Sequence, residues 1–459
     1  MARGRDRIPN EPSSDRSAAA KRELANQERL MALGDAVAQR SGVTRKPRKI
    51  HQHRLRRNLI IAGVSLIALV VVIAGGGYLY ANWQFSKITK LNVPGEVKAY
   101  SGQPFNILVV GSDSRKGLTG LVARQTGATT GSVSGQRSDV IKVVHVDPIA
   151  GTIATVSIPR DTMVTLLANQ SLYGQFNRIN VNLRKDPSLL AQTITANFGI
   201  PINYTIIVSF AGLINAADAL GGVYLNFPYQ SWDPYSQLKI RHPGCQLITG
   251  FQTLALSRSR HFYYNVKGTT TFPTAKTSYN TLMSTGWSYD GTSDFGRIDR
   301  QNAFLRAMVN RAKGIYNPLT ITSFLSKLPQ GIALDQKFTL NDLIKLAVRF
   351  HSLSASAIQT WTLPNYSGAS NVGSVLFVQE PQTQQLLVNI FGKGLVAPTN
   401  PPPNPSLQTP APPHVTATVT TVTTTTAPST KKKKSTTTTT TIPNPTLAVP
   451  YFDPVPCTP

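Results

Sequence analysis

Leu59–Tyr80 is a run of 22 residues without a charged side chain, rich in Leu, Ile, Val and Ala. At about 1.5 Å per residue a helix of that length reaches roughly 33 Å, enough for a hydrocarbon core of about 30 Å. The uncharged stretch runs from Arg57 to Lys87, with Tyr78, Tyr80 and Trp83 as an interfacial aromatic belt. Arg45, Lys46, Arg48, Lys49, Arg54, Arg56 and Arg57 precede it. Positive charge favours the cytoplasmic side, so residues 1–58 are expected inside and everything after about Lys87 outside. A cleaved signal peptide is the competing reading. The run begins at position 59, is long and lacks a clear small-x-small cleavage site, so an uncleaved signal-anchor fits better.

The span sorts the rest of the chain. Residues 1–58 are polar and charged, and are expected to be largely disordered with one helix near residues 17–38. Residues 81–100 read as a linker and 101–397 as one globular region. Residues 398–459 read as a disordered tail of Pro, Thr and Ala around a Lys431–Lys434 block. The 47 Lys and Arg against 21 Asp and Glu at first suggest nucleic acid. The basic cluster before the span has a simpler role in orientation and in contact with anionic lipid. Two cysteines, Cys245 and Cys457, exclude a disulfide-dense scaffold and a Cys-rich metal module. They are either one internal bond that pins the tail or two thiols. Seven histidines without HExxH spacing leave little for a zinc hydrolase, and GxSxG and GxxxxGK are absent.

Phe105–Gly111, Val140–Val146, Thr152–Ile158 and Tyr204–Phe210 are β-branched runs that predict strands. Ser188–Phe198, Ala211–Leu220, Ile298–Ala312, Leu340–Phe350 and Gln382–Phe391 carry helical periodicity. The Asp-Pro-Ile-Ala-Gly turn at 147–151 predicts a hairpin. The expected class is α/β, a mixed central sheet covered by helices on both faces.

The hairpin carries a geometric consequence. In an antiparallel pair the start of one strand and the end of the next share an edge of the sheet. Arg137 and Asp139 should therefore neighbour Arg160 and Asp161, and Gly111-Ser-Asp-Ser-Arg115 joins them if its strand runs with the second. The simpler alternative is ordinary solvated turn residues. Arg258 and Arg260, two apart, project to one side only in an extended segment, where paired guanidinium forks suit phosphate or carboxylate. On the helix after Gly296 the stripe of Phe304, Leu305, Met308 and Ala312 continues backward through Gln301, Arg297 and Asp294. Polar residues on a buried stripe face a satisfied network or a ligand.

Taken in order, Asn106–Arg115, Arg137-Ser-Asp139, Ser157-Ile-Pro-Arg-Asp161, Arg178-Ile-Asn180, Phe210–Gly222, Ser257-Arg-Ser-Arg-His261 and Ser293–Gln301 resemble the LytR-CpsA-Psr family. The resemblance covers about 101–315 clearly. It implies a membrane-anchored, extracytoplasmic enzyme with a long apolar pocket. The implied reaction moves a glycopolymer from a polyprenyl pyrophosphate carrier to peptidoglycan and releases polyprenyl phosphate. By the same resemblance Asp113 and Asp139 would hold Mg²⁺, with Mn²⁺ as an alternative. Arg115, Arg137, Arg160, Arg258 and Arg260 would contact the pyrophosphate and head group, with Arg297 and Gln301 beside them. The catalytic set it implies is Arg137, Asp139, Arg160, Arg258, Arg260 and Asp294, and the acceptor's base is either Asp139 or Asp294. The long stretch 261–293, with seven aromatic residues among Phe262, Tyr263, Tyr264, Phe272, Tyr279, Trp287 and Tyr289, reads as an insert that covers glycan or lipid. The expected partners are the lipid-linked donor, peptidoglycan and the membrane, and no nucleic acid. A non-catalytic carrier- or wall-binding protein, or a membrane-linked regulator, is the competing function.

Overall fold

The computed structural model describes residues 14–40, 50–126, 138–184, 186–313, 324–327, 329, 331–351, 357–403 and 452–458. The chain divides into two units, 1–75 and 76–459. The first contains the helix Ser14–Arg40, built from Ala, Leu, Glu and Arg, which favour helix intrinsically. It is 27 residues long, where the sequence predicted a shorter helix in a largely disordered segment. A second helix, Ile50–Ser86, contains the apolar run. Among the described residues Arg56–Ser86 is the one helix long and apolar enough to cross a membrane.

The second unit is α/β. Its main sheet has seven strands: β1 (Thr89–Leu91), β2 (Phe105–Ser112), β3 (Ser138–Asp147), β4 (Thr152–Ser157), β5 (Tyr204–Val208), β6 (Ile332–Asp335) and β7 (Ile358–Thr362). Their order across the sheet is β1-β6-β5-β2-β3-β4-β7. β2, β3 and β4 are successively antiparallel, while β2 runs parallel to β5 and β4 parallel to β7, so the sheet is mixed. One face presents Leu108, Val110, Ile141, Val143, Val156 and Ile158 to the helices Pro187–Phe198 and Gln382–Phe391. The other face meets the helix Asp294–Ala312 through buried polar contacts. Lys142 Nζ donates to Asn302 Oδ1 at 2.6 Å, and Arg306 donates to Thr360 Oγ1 at 2.9 Å.

Three expected boundaries shift. The linker 81–100 is largely part of the unit: Phe85 and Ile88 are buried with Leu334 and Phe338, and β1 pairs with β6. Burying each side chain contributes about 1.5–3 kcal/mol. The tail 398–459 contributes to the body, because Phe452 is buried in a second core and Val455–Pro456 pairs with the strand Val223–Phe227. Cys245 and Cys457 are joined, with Cα atoms 6.0 Å apart. The insert 261–293 is structured rather than an open loop. Its strands Tyr263–Asn265 and Trp287–Tyr289 extend a four-stranded sheet with Gln230–Asp233 and Leu238–Ile240. The Lys431–Lys434 block lies outside the described residues.

Candidate active site at one end of the sheet

β2 and β4 end, and β3 begins, at the same edge. Ser112 pairs with Ser138 across a bulge that holds Asp139, so Asp113 leaves β2 just past the start of β3. β4 continues through Pro159 to Arg160, whose Nη1 donates to Asp139 Oδ1 at 2.7 Å. The antiparallel hairpin therefore brings these two together as the register requires. Arg137 lies outside the described residues.

Asp294 sits at the hub of the cluster. Its carboxylate is 2.5 Å from Arg260 Nε, 3.0 Å from Arg297 Nη2 and 3.5 Å from Arg160 Nε. The residue before it, Ser293, has φ +51°, a region that non-glycine residues rarely adopt and that local structure must enforce. Arg297 also donates to the Asp139 carbonyl at 3.0 Å, which ties the helix to the start of β3. Asp161 lies 3.4 Å from Arg160 and 3.5 Å from Arg178. Arg178 in turn donates to the carbonyls of Val372 and Ser374.

Arg258 and Arg260 straddle a helix end and do not share an extended segment. Arg258 closes the helix Gly250–Arg258, and the chain becomes extended at Ser259. A Cβ at Gly250 would fall 2.5 Å from the Ile214 carbonyl, so glycine lets this helix approach the Phe210–Ala219 helix. Arg258 lies 5.0 Å over the Phe210 ring and makes no ion pair among the described residues. Gln301 donates to the Ser257 carbonyl at 2.9 Å, supporting the residue next to Arg258. It is thus part of a satisfied network, and it borders a gap of about 10 Å³ that Asp139, Arg160 and Arg297 also line. Arg115 is half-buried just past the end of β2.

The electrostatics are unbalanced. Burial lowers the Arg258 pKa and the neighbouring Arg115 adds to this, against Asp139 and Asp233. Burial also lowers Arg297, with Asp294 opposing and Arg160 and Arg260 contributing repulsion. At Arg160 the carboxylates of Asp294, Asp139 and Asp161 outweigh burial and hold the pKa above the usual value. The Nε atoms of Arg160, Arg260 and Arg297 are buried without an aligned hydrogen bond among the described residues.

The sequence reading missed Lys142, buried behind this cluster and donating to Ser157 Oγ and Asn302 Oδ1 at 2.6 Å each. Burial brings its pKa down to about 7, with Asp299 opposing and Arg297 and Arg306 contributing. Its signal was available as the one charged residue inside the Val140–Val146 run. At the other end of β2, roughly 23 Å away, Tyr100, Phe105, Tyr204, Phe338, Leu346 and Phe350 line a cavity of about 520 Å³.

A metal would find two carboxylates here, Asp113 and Asp139, on adjacent strand ends. No group of three or more acidic, His or Cys side chains forms among the described residues. That donor set fits Mg²⁺ bound together with phosphate oxygens and water, since Mg²⁺ usually takes one or two carboxylates.

The chain matches the LytR_cpsA_psr family over residues 79–265 and 287–390. It is 31% identical over 227 residues to the probable cell wall biosynthesis protein LcpB of Corynebacterium glutamicum, half of either chain. It is 24% identical over 277 residues to the polyisoprenyl-teichoic acid–peptidoglycan teichoic acid transferase TagU of Bacillus subtilis, covering 58% of this chain and 74% of that one. Among solved structures, a LytR-Csp2A-Psr enzyme from Actinomyces oris aligns with a TM-score of 0.50 at 18% identity. That alignment covers 69% of this chain and 99% of the other, a likeness of fold.

Proposed function

The chain belongs to the LytR-CpsA-Psr family, and from that premise we propose that it transfers a glycopolymer from a polyprenyl pyrophosphate carrier to peptidoglycan during cell wall assembly. The observation that carries the reading is the excess of arginine over carboxylate at one end of the sheet. Arg115, Arg160, Arg178, Arg258, Arg260 and Arg297 converge there with Asp113, Asp139, Asp161 and Asp294. A pyrophosphate supplies the missing negative charge, and planar guanidinium forks match its oxygens. The named transferases among the relatives support the choice of reaction, as does the helix Arg56–Ser86, which would anchor the protein at the membrane. The basic residues before that helix support a cytoplasmic N-terminus and an extracytoplasmic 88–459 region.

In this reading the arginines hold the donor's pyrophosphate and stabilise charge that develops on the leaving polyprenyl phosphate. Phosphoryl transfer depends mainly on positioning and electrostatics, so the chain needs few further groups. Asp294 keeps Arg160, Arg260 and Arg297 oriented, and Asp139 keeps Arg160 at the edge of β3. Asp113 and Asp139 would hold a Mg²⁺, which when bound would neutralise phosphate charge. Asp139 or Asp294 would take the proton from the acceptor hydroxyl.

The test is reconstitution. The full chain in detergent micelles, given Mg²⁺, a prenyl pyrophosphate-linked glycan and peptidoglycan oligomers, should release prenyl monophosphate and form glycan-linked peptidoglycan, both read by mass spectrometry. Hydrolysis or binding without the linked product would refute the transferase reading.

A further inference from the structure

The aromatic residues beside Arg260 form a row that the chemistry described so far does not use. Across the four-stranded sheet Tyr263 pairs directly with Trp232 on one side and Tyr289 on the other. Directly opposed residues share a face, so the three rings stand together. Their centroids are 5.6 Å and 5.2 Å apart. The row continues from Tyr289 to His261, near-parallel at 6.4 Å, and from His261 to Tyr235 at 4.5 Å. One end is closed, because Trp232 and Trp287 are buried with Leu282 beneath Phe272 and Met283. The other end is open, with Tyr235 at 72% and Tyr289 at 38% exposure.

Two further features join this row to the arginine cluster. The Asp233 carboxylate, fully buried, accepts from the backbone N–H of Tyr235 at 2.8 Å and of His261 at 2.9 Å. It also accepts from Ser259 Oγ at 2.7 Å, between Arg258 and Arg260. One carboxylate thus fixes the backbone at Tyr235 and His261 together with the segment between Arg258 and Arg260, so that part of the surface is held before any ligand arrives. Burial raises the Tyr289 phenol, and Arg260 is near enough to oppose that shift. The family match covers 79–265 and 287–390, so residues 266–286, which supply Phe272, Leu282 and Met283, lie outside the matched ranges.

We propose that Tyr235, His261, Tyr263 and Tyr289 form a stacking platform for the first sugar rings of the donor glycan. Resting on the function proposed above, this names where the glycan lies once its pyrophosphate is on the arginines. A pyranose presents an apolar C–H face and a rim of hydroxyls. Flat rings carrying phenol and imidazole groups satisfy both, whereas a prenyl chain has no use for the polar tips. The sugar bonded to the pyrophosphate must lie within one ring of the cluster, and His261 directly follows Arg260. That adjacency favours the donor over the peptidoglycan acceptor.

The experiment measures, by calorimetry on the full chain in detergent, the affinity for farnesyl pyrophosphate and for farnesyl pyrophosphate carrying chitobiose. The wild type should bind the sugar-bearing form about tenfold more tightly. A double variant, Tyr235→Ala with Tyr289→Ala, should erase that difference and leave the bare form's affinity unchanged. The platform is refuted if the two forms bind the wild type equally, if the difference survives in the variant, or if both affinities fall together. Loss of binding to soluble peptidoglycan fragments alone would assign the platform to the acceptor and overturn the donor assignment. A wild type that binds neither farnesyl compound sinks the functional reading, and the platform with it.

Discussion

Arg297 and Arg300 leave the same helix three positions apart and enter clusters of opposite charge balance. Arg297 joins the open cluster, where six arginines, Arg115 among them, meet four aspartates, Asp113 among them. Arg300 is fully buried, donating at 2.7 Å to both Asp290 and Asp453 and at 3.2 Å to the Ser259 carbonyl. It also stacks 4.4 Å over the Phe262 ring. The closed cluster has one cation for two carboxylates and fastens the chain's last described segment to the body of the unit. The open one has cations to spare at a partly exposed end of the sheet. The same residue types therefore serve architecture where the balance closes internally and recognition where it does not.

Substitutions can break or sharpen that contrast. Arg300→Ala should have the largest effect, leaving two buried carboxylates unpaired at a cost of about 3–5 kcal/mol, read as a large drop in Tm by circular dichroism. Arg160→Lys should instead keep Tm within a few degrees and lower turnover by about 10²-fold, because charge remains but the planar fork is lost. If Arg160→Lys unfolds the protein while Arg300→Ala spares it, the two roles are reversed. Gln301→Ala leaves the buried Ser257 carbonyl without its donor and should cost about 1–3 kcal/mol in chemical denaturation. Its turnover should fall less than that of Arg160→Lys, since it acts by supporting Arg258.

The smallest effect is in pH dependence. Burial raises the Asp453 pKa from 3.8 to about 6, and Arg300 opposes this but is shared with Asp290. The folded state then holds a proton between pH 3.8 and 6 that the unfolded state has released. The contribution is fully present below pH 3.8 and is lost as pH rises to about 6. Asp453→Asn should remove that decline from the wild-type Tm profile. A profile parallel to the wild type would show that Asp453 is ionised throughout.

The open cluster was more legible than the closed one. β2 to β5 and the helices Leu340–Phe350 and Gln382–Phe391 follow from periodicity, and the turn at 147–151 places Asp139 beside Arg160. The closed cluster joins Asp290, Arg300 and Asp453, up to 163 positions apart, through a tail whose composition resembles a linker. No local pattern encodes such a pairing. The short strands Tyr263–Asn265 and Trp287–Tyr289 hold three residues each, too few for alternation to register. The Arg258–Arg260 spacing misled because Ser259, at the end of a helix, changes the backbone between them.

The arginine cluster around Asp294 should prefer a pyrophosphate to a monophosphate. The most direct test of that preference is the thermal shift of the full chain with farnesyl pyrophosphate against farnesyl monophosphate. The pyrophosphate should raise Tm more than the monophosphate, and Arg160→Lys should abolish the difference. An equal shift for both ligands, or one unchanged in Arg160→Lys, would contradict the account.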